Sequence, residues 1–168
     1  IKKNLTTYHP IVVLAGPSFA IEVVKRELTT VTAASYDEKA AETIQKIFSN
    51  DYFRVYTNDD EIGAEICGAM KNIIALASGI CAGMGYGTNA RSGLITRGLV
   101  EMSHFVRKLG GKVETIYGLT GVGDLILTCS SMESRNFQVG NAIGRSLDAK
   151  SVLANNKLTA EGVKASQI

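Results

Sequence analysis

The chain has 168 residues, with 18 Lys and Arg against 16 Asp and Glu, a length that allows one ordinary domain or parts of two. So even a balance gives no electrostatic case for nucleic acid or an anionic membrane surface as a partner, and it leaves small-molecule chemistry as the default. Cys67, Cys81 and Cys129 lie in apolar segments without metal-ligand spacing, which points to buried thiols in a reducing compartment, the cytosol, and to no metal site. The chain opens at Ile1 rather than Met and stops at Ile168 within an amphipathic segment; we expect a piece of a longer protein, with neither a secretory signal nor a run of about 18 uninterrupted apolar residues. Residues 1 to 10 carry no periodic pattern. Pro10 then opens IVVLAG, which has the length and β-branched content of a buried strand and ends at Gly16-Pro17-Ser18. SFAIEVVKREL follows as a helix with Ala20, Val23, Val24 and Leu28 inward and Ser18 as a candidate N-cap. Thr29–Ser35 reads as a second strand, Asp37–Asn50 as an amphipathic helix with Ala40, Ala41, Ile44, Ile47 and Phe48 inward, and Phe53–Thr57 as a third strand.

From Asp59 the pattern changes to helices joined by glycine-rich turns. Within Asp60–Gly87, Ile62, Ile66, Ala69, Met70, Ile73, Leu76, Ala77 and Ile80 make one apolar face of a helix, and we expect that face to be the core side. Lys71 points the other way, among Ala64, Cys67, Gly68, Ala75 and Ser78, all small, so this second face suits close contact rather than water. No carboxylate lies three or four residues from Lys71. It is either a solvated helix lysine or a desolvated one, and a desolvated lysine loses affinity for its proton and becomes a candidate acid/base. A further helix spans about Asn89–Leu109, with Leu94, Ile95, Leu99, Met102, Phe105, Val106 and Leu109 inward and Gly110-Gly111 as its stop. Short helical pieces broken by Gly118, Gly121 and Gly123 come next, then a helix that Ser134 can cap.

GMGYG (83–87) and GLTGVG (118–123) invite a dinucleotide reading. A dinucleotide cradle requires a strand, the glycine turn and a helix in that order, whereas these glycines separate helices, so we read them as turns. Asp124 is either a helix N-cap or an orienting carboxylate for Lys71. Ser134, Arg135 and Asn136 at a helix start combine backbone N–H groups, a hydroxyl, an amide and a guanidinium, the equipment for holding a phosphate, although Arg135 also fits a surface position. Asn89 has a capping reading and Arg91 a surface one, Arg97 reads as structural, and His9 and His104 read as surface or packing residues.

In order, GPSFA (Gly16 to Ala20), MKN (Met70 to Asn72), NARSGLITRGLVEM (Asn89 to Met102), GLTGVGDLILTC (Gly118 to Cys129), SRN (Ser134 to Asn136) and AEG (Ala160 to Gly162) resemble bacterial-type NAD(P)-dependent glycerol-3-phosphate dehydrogenase. The resemblance implies that residues 1–58 are the closing portion of a Rossmann-like α/β nucleotide-binding domain. Residues 59–168 would be most of an all-α substrate domain of the 6-phosphogluconate-dehydrogenase C-terminal type. It implies Lys71 as the catalytic lysine, proton acceptor in alcohol oxidation and donor in the reverse direction. By the same resemblance Gly16, Ser18, Lys71, Asp124, Ser134, Arg135 and Asn136 hold substrate, while Ala20, Arg135 and Glu161 touch cofactor; Thr159 stands where the family usually has an aliphatic residue. The implied reaction interconverts sn-glycerol 3-phosphate and dihydroxyacetone phosphate with NAD or NADP in the cytoplasm, supplying phospholipid synthesis, and a homodimer is among the implied arrangements. The family's glycine-rich turn and another substrate lysine have no counterpart here, so we expect this stretch alone to be inactive. Two other readings stay open: a related 2-hydroxy-acid or ketopantoate-type dehydrogenase, and a non-catalytic helical binding or dimerisation module.

Overall fold

The computed structural model describes residues 9–155 and 160–166. Strand β1 (Val13–Ala15) pairs antiparallel with β2 (Thr29–Ala34), and β2 pairs parallel with β3 (Phe53–Asn58), giving the sheet order β1-β2-β3. A parallel pair needs a crossover, and helix α2 (Glu38–Phe48) supplies it, with Asp37 capping its start by accepting the Ala40 N–H at 3.0 Å. Val31, Ala33 and Val55 form the sheet's core, packed by Ile44. Gln45 fastens α2 to the sheet by donating to the Val55 carbonyl at 2.8 Å. Ile47, two residues on, therefore falls on the far side of the helical wheel; both it and Phe48 are exposed, contrary to the inward positions expected for them.

Helix α1 is shorter than the sequence pattern indicates. It covers only Ala20–Val24, because Arg26 adopts a left-handed φ of 61° that ends the helix, and Leu28 is 88% exposed instead of inward. Ser18 does not cap it; its hydroxyl donates back to the Gly16 carbonyl at 3.0 Å, and Phe19 takes the cap position without a side-chain bond.

Beyond β3 the described residues are helical. Helix α3 (Glu61–Gly83) starts at Asp60, whose buried carboxylate accepts from the Gly63 N–H at 2.9 Å, the Lys112 N–H at 2.8 Å and the Thr115 hydroxyl at 2.7 Å. Those donors satisfy a group that would otherwise be costly to bury, and they tie the start of α3 to a chain segment far along the sequence. By length and composition α3 could cross a membrane, yet it is the helix against which α4 (Thr88–Lys108), α5 (Asp124–Ser130), α6 (Arg135–Ser146) and α8 (Glu161–Ala165) all pack. Its most buried residues are the small ones, Ala64, Cys67, Ala75 and Ser78, while the large apolar face is only half-buried. The expected core side is thus reversed: Cys67 and Ala75 pack with Met102, Val106, Leu125 and Cys129, and the Ser78 hydroxyl donates to the Cys129 carbonyl at 2.9 Å, while α6 crosses α3 along Leu76, Gly79, Ile80 and Gly83.

At that crossing a Cβ on Gly79 would stand 2.2 Å from the Phe137 carbonyl oxygen, and one on Gly140 would stand 2.1 Å from that of Leu76. Gly83 and Gly144, one turn further along each helix, are equally close to the facing backbone. Side chains here would push the helix axes apart. Gly140→Ala is expected to lower stability by about 3 kcal/mol, at the upper end of overpacking costs, because the obstructing atom is backbone. Urea denaturation checks this, and an unchanged midpoint would contradict the packing argument.

Met102 and Val106 of α4 join Cys67, Ile74, Leu125 and Cys129 in the bundle core. Phe105 and Leu109 are exposed, so the buried stripe of α4 is narrower than the expected one. Gly110, at φ 85°, lies just beyond its end. A 3₁₀ turn (Val113–Tyr117) and a π-helical turn (Leu119–Gly123) lead directly into α5. GMGYG links α3 to α4 and GLTGVG lies in this helical run, where a Cβ on Gly121 would meet the Ile116 carbonyl at 2.0 Å; neither follows a strand. A short helix α7 (Ala149–Asn155) follows α6.

Candidate functional site

Where the sheet meets the bundle, a cleft of about 500 Å³ is lined by Gly16, Ser18, Phe19 and Ala20 from the β1–α1 turn and by Lys71, Asn72, Asp124, Leu127, Thr128, Glu133, Ser134, Arg135, Asn136 and Glu161 from the helices. The close strand packing explains Gly16: its φ is 147° and a Cβ would lie 2.9 Å from the Val31 Cα. The turn meets the helical part through the Gly16 N–H, which bonds the Asp124 carboxylate, and through Pro17, which lies beside Gly123.

Lys71 Nζ lies 2.5 Å from Asp124 Oδ2, with the lysine side chain 23% exposed and the aspartate 4%. No carboxylate near Lys71 in sequence could do this; the partner comes from α5. Asp124 is not a helix cap. The π-helical turn runs straight into α5, the Gly123 N–H is already bonded to Gly118, and no side-chain cap exists at that start. The carboxylate is free for Lys71, and the Thr128 hydroxyl is shared between the Asp124 main-chain carbonyl at 2.6 Å and Oδ1 at 3.2 Å. Burial pushes the Asp124 carboxyl up, while the Lys71 ammonium, the Thr128 hydroxyl and the Gly16 N–H pull it back down.

Ser134 is a cap, accepting the Phe137 N–H at 3.3 Å at the start of α6. Its own O–H remains a donor, and the first N–H groups of α6 have no partner within the helix. Arg135 is exposed and pairs with Glu161 at 2.7 Å. Asn136 is buried and committed: its amide donates to Asn72 Oδ1 at 3.0 Å, and its carbonyl oxygen accepts the Gly162 N–H at 2.8 Å. It therefore locks α8 and α3 onto α6. Gly162 has no room for a side chain, since a Cβ would meet the Asn72 carbonyl at 2.4 Å.

Every residue singled out from the sequence for this site reaches the one cleft; Thr159 lies outside the described residues. Asn72 and Thr128 were not singled out. Thr128 was findable, standing four residues after Asp124 on the same helix face. Nothing local marks Asn72, whose partner is 64 residues away. Arg91, read as a surface residue, is half-buried near the start of α4, and Asn89 lies within α4 rather than capping it, since Gly87 takes that place.

A parallel βαβ unit leading into a helical bundle, with its polar cleft at the junction, puts the chain among α/β proteins that carry a helical second part. The sequence profile of the NAD-dependent glycerol-3-phosphate dehydrogenase C-terminus matches residues 60–168, and that of the corresponding N-terminus matches residues 1–41. A glycerol-3-phosphate dehydrogenase [NAD(P)+] from Bacillus velezensis is 54% identical over 157 residues, covering 94% of this chain and 46% of that protein. The crystal structure of glycerol-3-phosphate dehydrogenase from Coxiella burnetii superposes with a TM-score of 0.89 at 44% identity, covering 94% of this chain and 49% of that one. The structure of DsGPDH from Dunaliella salina gives a TM-score of 0.85 at 28% identity, covering 93% of this chain and 31% of that one. The chain belongs to the NAD-dependent glycerol-3-phosphate dehydrogenase family, and it spans about half the length of the curated relatives it matches.

Proposed function

We propose that the chain forms the substrate-holding, proton-transferring side of an enzyme that interconverts sn-glycerol 3-phosphate and dihydroxyacetone phosphate with NAD or NADP. In this reading residues 1–58 close a nucleotide-binding domain and residues 59–168 form most of the substrate domain. The observation that carries it is the Lys71–Asp124 pair sharing a cleft with the start of α6. Arg135, the Ser134 hydroxyl and the free N–H groups of the first turn hold the phosphate. Remote binding energy then places the reacting carbon beside Lys71. Lys71 gives a proton to the carbonyl oxygen during reduction and takes it from the hydroxyl during oxidation, and Asp124, itself fixed by Thr128, keeps the amine aimed at that oxygen. Gly16 and Ser18 shape the wall opposite. The same reading gives the enzyme a cytosolic setting and a role in supplying glycerol 3-phosphate for phospholipid synthesis.

A nicotinamide dinucleotide, when bound, supplies or accepts the hydride. Ala20, Arg135 and Glu161 offer it contacts at the cleft rim, but the described residues contain no strand, G-x-G-x-x-G and helix in sequence to cradle its pyrophosphate. It fits this chain at its edge only.

A substrate panel tests the proposal in a polypeptide that joins this chain to a nucleotide-binding half. Glycerol 3-phosphate should far exceed 2-hydroxy acids and ketopantoate-type substrates in kcat/KM. Comparable or better turnover of a phosphate-free hydroxy acid would overturn it.

A further inference from the structure

A second cavity of about 400 Å³ lies between α4 and α5, away from the Lys71 cleft, and none of its lining residues is acidic. Its character changes along α4. At the N-terminal end stand Thr88, Arg91 and Ser92, and further along come Ile95 and Leu99, faced by Val122, Leu125 and Ile126. Arg91 is half-buried there, and among the described residues its Nε has no hydrogen-bond partner. Among the described residues Nη2 reaches only the Thr88 hydroxyl, at 3.4 Å. A guanidinium nitrogen withdrawn from water without an acceptor is costly, which is why such groups are paired with anions when buried. Nε and its neighbouring Nη form the fork that matches a carboxylate in two parallel hydrogen bonds. The adjacent start of α4 has Gly87 as its N-cap and no side-chain cap bond, so its dipole favours the same sign of ligand charge. Cys129 on the opposite wall brings no competing charge, since burial pushes its thiol up to about 12.

We propose that this cavity binds a small amphipathic carboxylate, its head group on Arg91 and its apolar tail along Ile95, Leu99 and Ile126. From Arg91 to Leu99 the helix rises about 12 Å, and a cavity of this size lies within the range of small-molecule sites. An eight-carbon chain is a suitable probe of that length. The site is separate from the phosphate equipment of α6, although Val122 and Leu125, two positions before and one after Asp124, belong to its wall.

Calorimetry of the protein with octanoate, octanol and acetate tests the proposal. Octanoate should bind saturably, about ten- to a hundredfold tighter than octanol, the ratio expected for charge-assisted hydrogen bonds that the alcohol cannot make. Acetate, lacking the tail, should bind far more weakly. Arg91→Gln should bring octanoate down to the octanol level, and Ile95→Trp, which fills the tail region, should weaken both ligands, each variant being checked for fold by circular dichroism. Absence of saturable octanoate binding would overturn the proposal. So would octanoate affinity that Ile95→Trp, or a folded Arg91→Gln, leaves unchanged.

Discussion

Lys71→Met, in a polypeptide that joins this chain to a nucleotide-binding half, is expected to lower turnover about 10²- to 10⁴-fold, the contribution of a positioned proton-transfer group. Methionine keeps the stem's volume and removes the ammonium. The variant should fold, at a cost in stability with a definite pH dependence. Without Lys71, nothing among the cited partners of Asp124 carries positive charge, and burial, already the largest influence on its carboxyl, pushes it further up. A carboxyl whose folded pKa is raised contributes stability that is fully present below the unfolded value and lost as pH rises through the folded one. Lys71→Met should therefore come closest to the parent in acid and fall behind toward neutral pH, by up to about 3–5 kcal/mol for a buried charge left unpaired. Adding Asp124→Asn removes that charge, so the double variant should regain stability at neutral pH without regaining turnover. Thermal melts across pH, run beside turnover assays, separate the two effects. Near-parental turnover in Lys71→Met would remove the lysine from the chemistry.

Arg135→Ala should act on a different quantity. The loss of a charge-assisted bond to phosphate is expected to weaken glycerol 3-phosphate about ten- to a hundredfold while leaving free glycerol unaffected. Stability should hardly change. The Arg135–Glu161 pair is half in water on both sides, and exposed ion pairs of this kind contribute at most about 1 kcal/mol. KM values for both substrates decide the matter: equal weakening would mean that Arg135 does not anchor phosphate.

The parts of the fold that were legible were those carried by local chemistry. Ser134 caps its helix as its position suggests, and GMGYG joins two helices as expected, whereas GLTGVG, read as a turn, is itself helical from Leu119 to Gly123 and continues into α5. Lys71 stood out because its neighbours on the wheel are small. What that observation concealed was the direction of burial. A helix is usually buried on its bulky face, but the small face of α3 enters the bundle core, where Cys67 and Ala75 join Met102, Val106, Leu125 and Cys129. The α6 crossing lies elsewhere on α3, along Leu76, Gly79, Ile80 and Gly83, where glycines on both helices let the backbones touch. The pairs Lys71–Asp124, Asn136–Asn72 and Asp60–Lys112 join residues 52 to 64 apart in sequence, and no helical or strand periodicity reports contacts at that separation. Asp124 illustrates the limit: its chemistry suits both a cap and a counter-ion, and only the continuity of the π-helical turn with α5 removes the first possibility.

The most direct measurement is a crystal structure, with glycerol 3-phosphate bound, of the polypeptide that joins this chain to a nucleotide-binding half. The phosphate should lie on Arg135 and the first turn of α6, with the secondary hydroxyl within about 3 Å of Lys71 Nζ, the reach that direct proton transfer requires. A phosphate seated elsewhere, or a secondary hydroxyl turned away from Lys71, would contradict the assignment of this cleft.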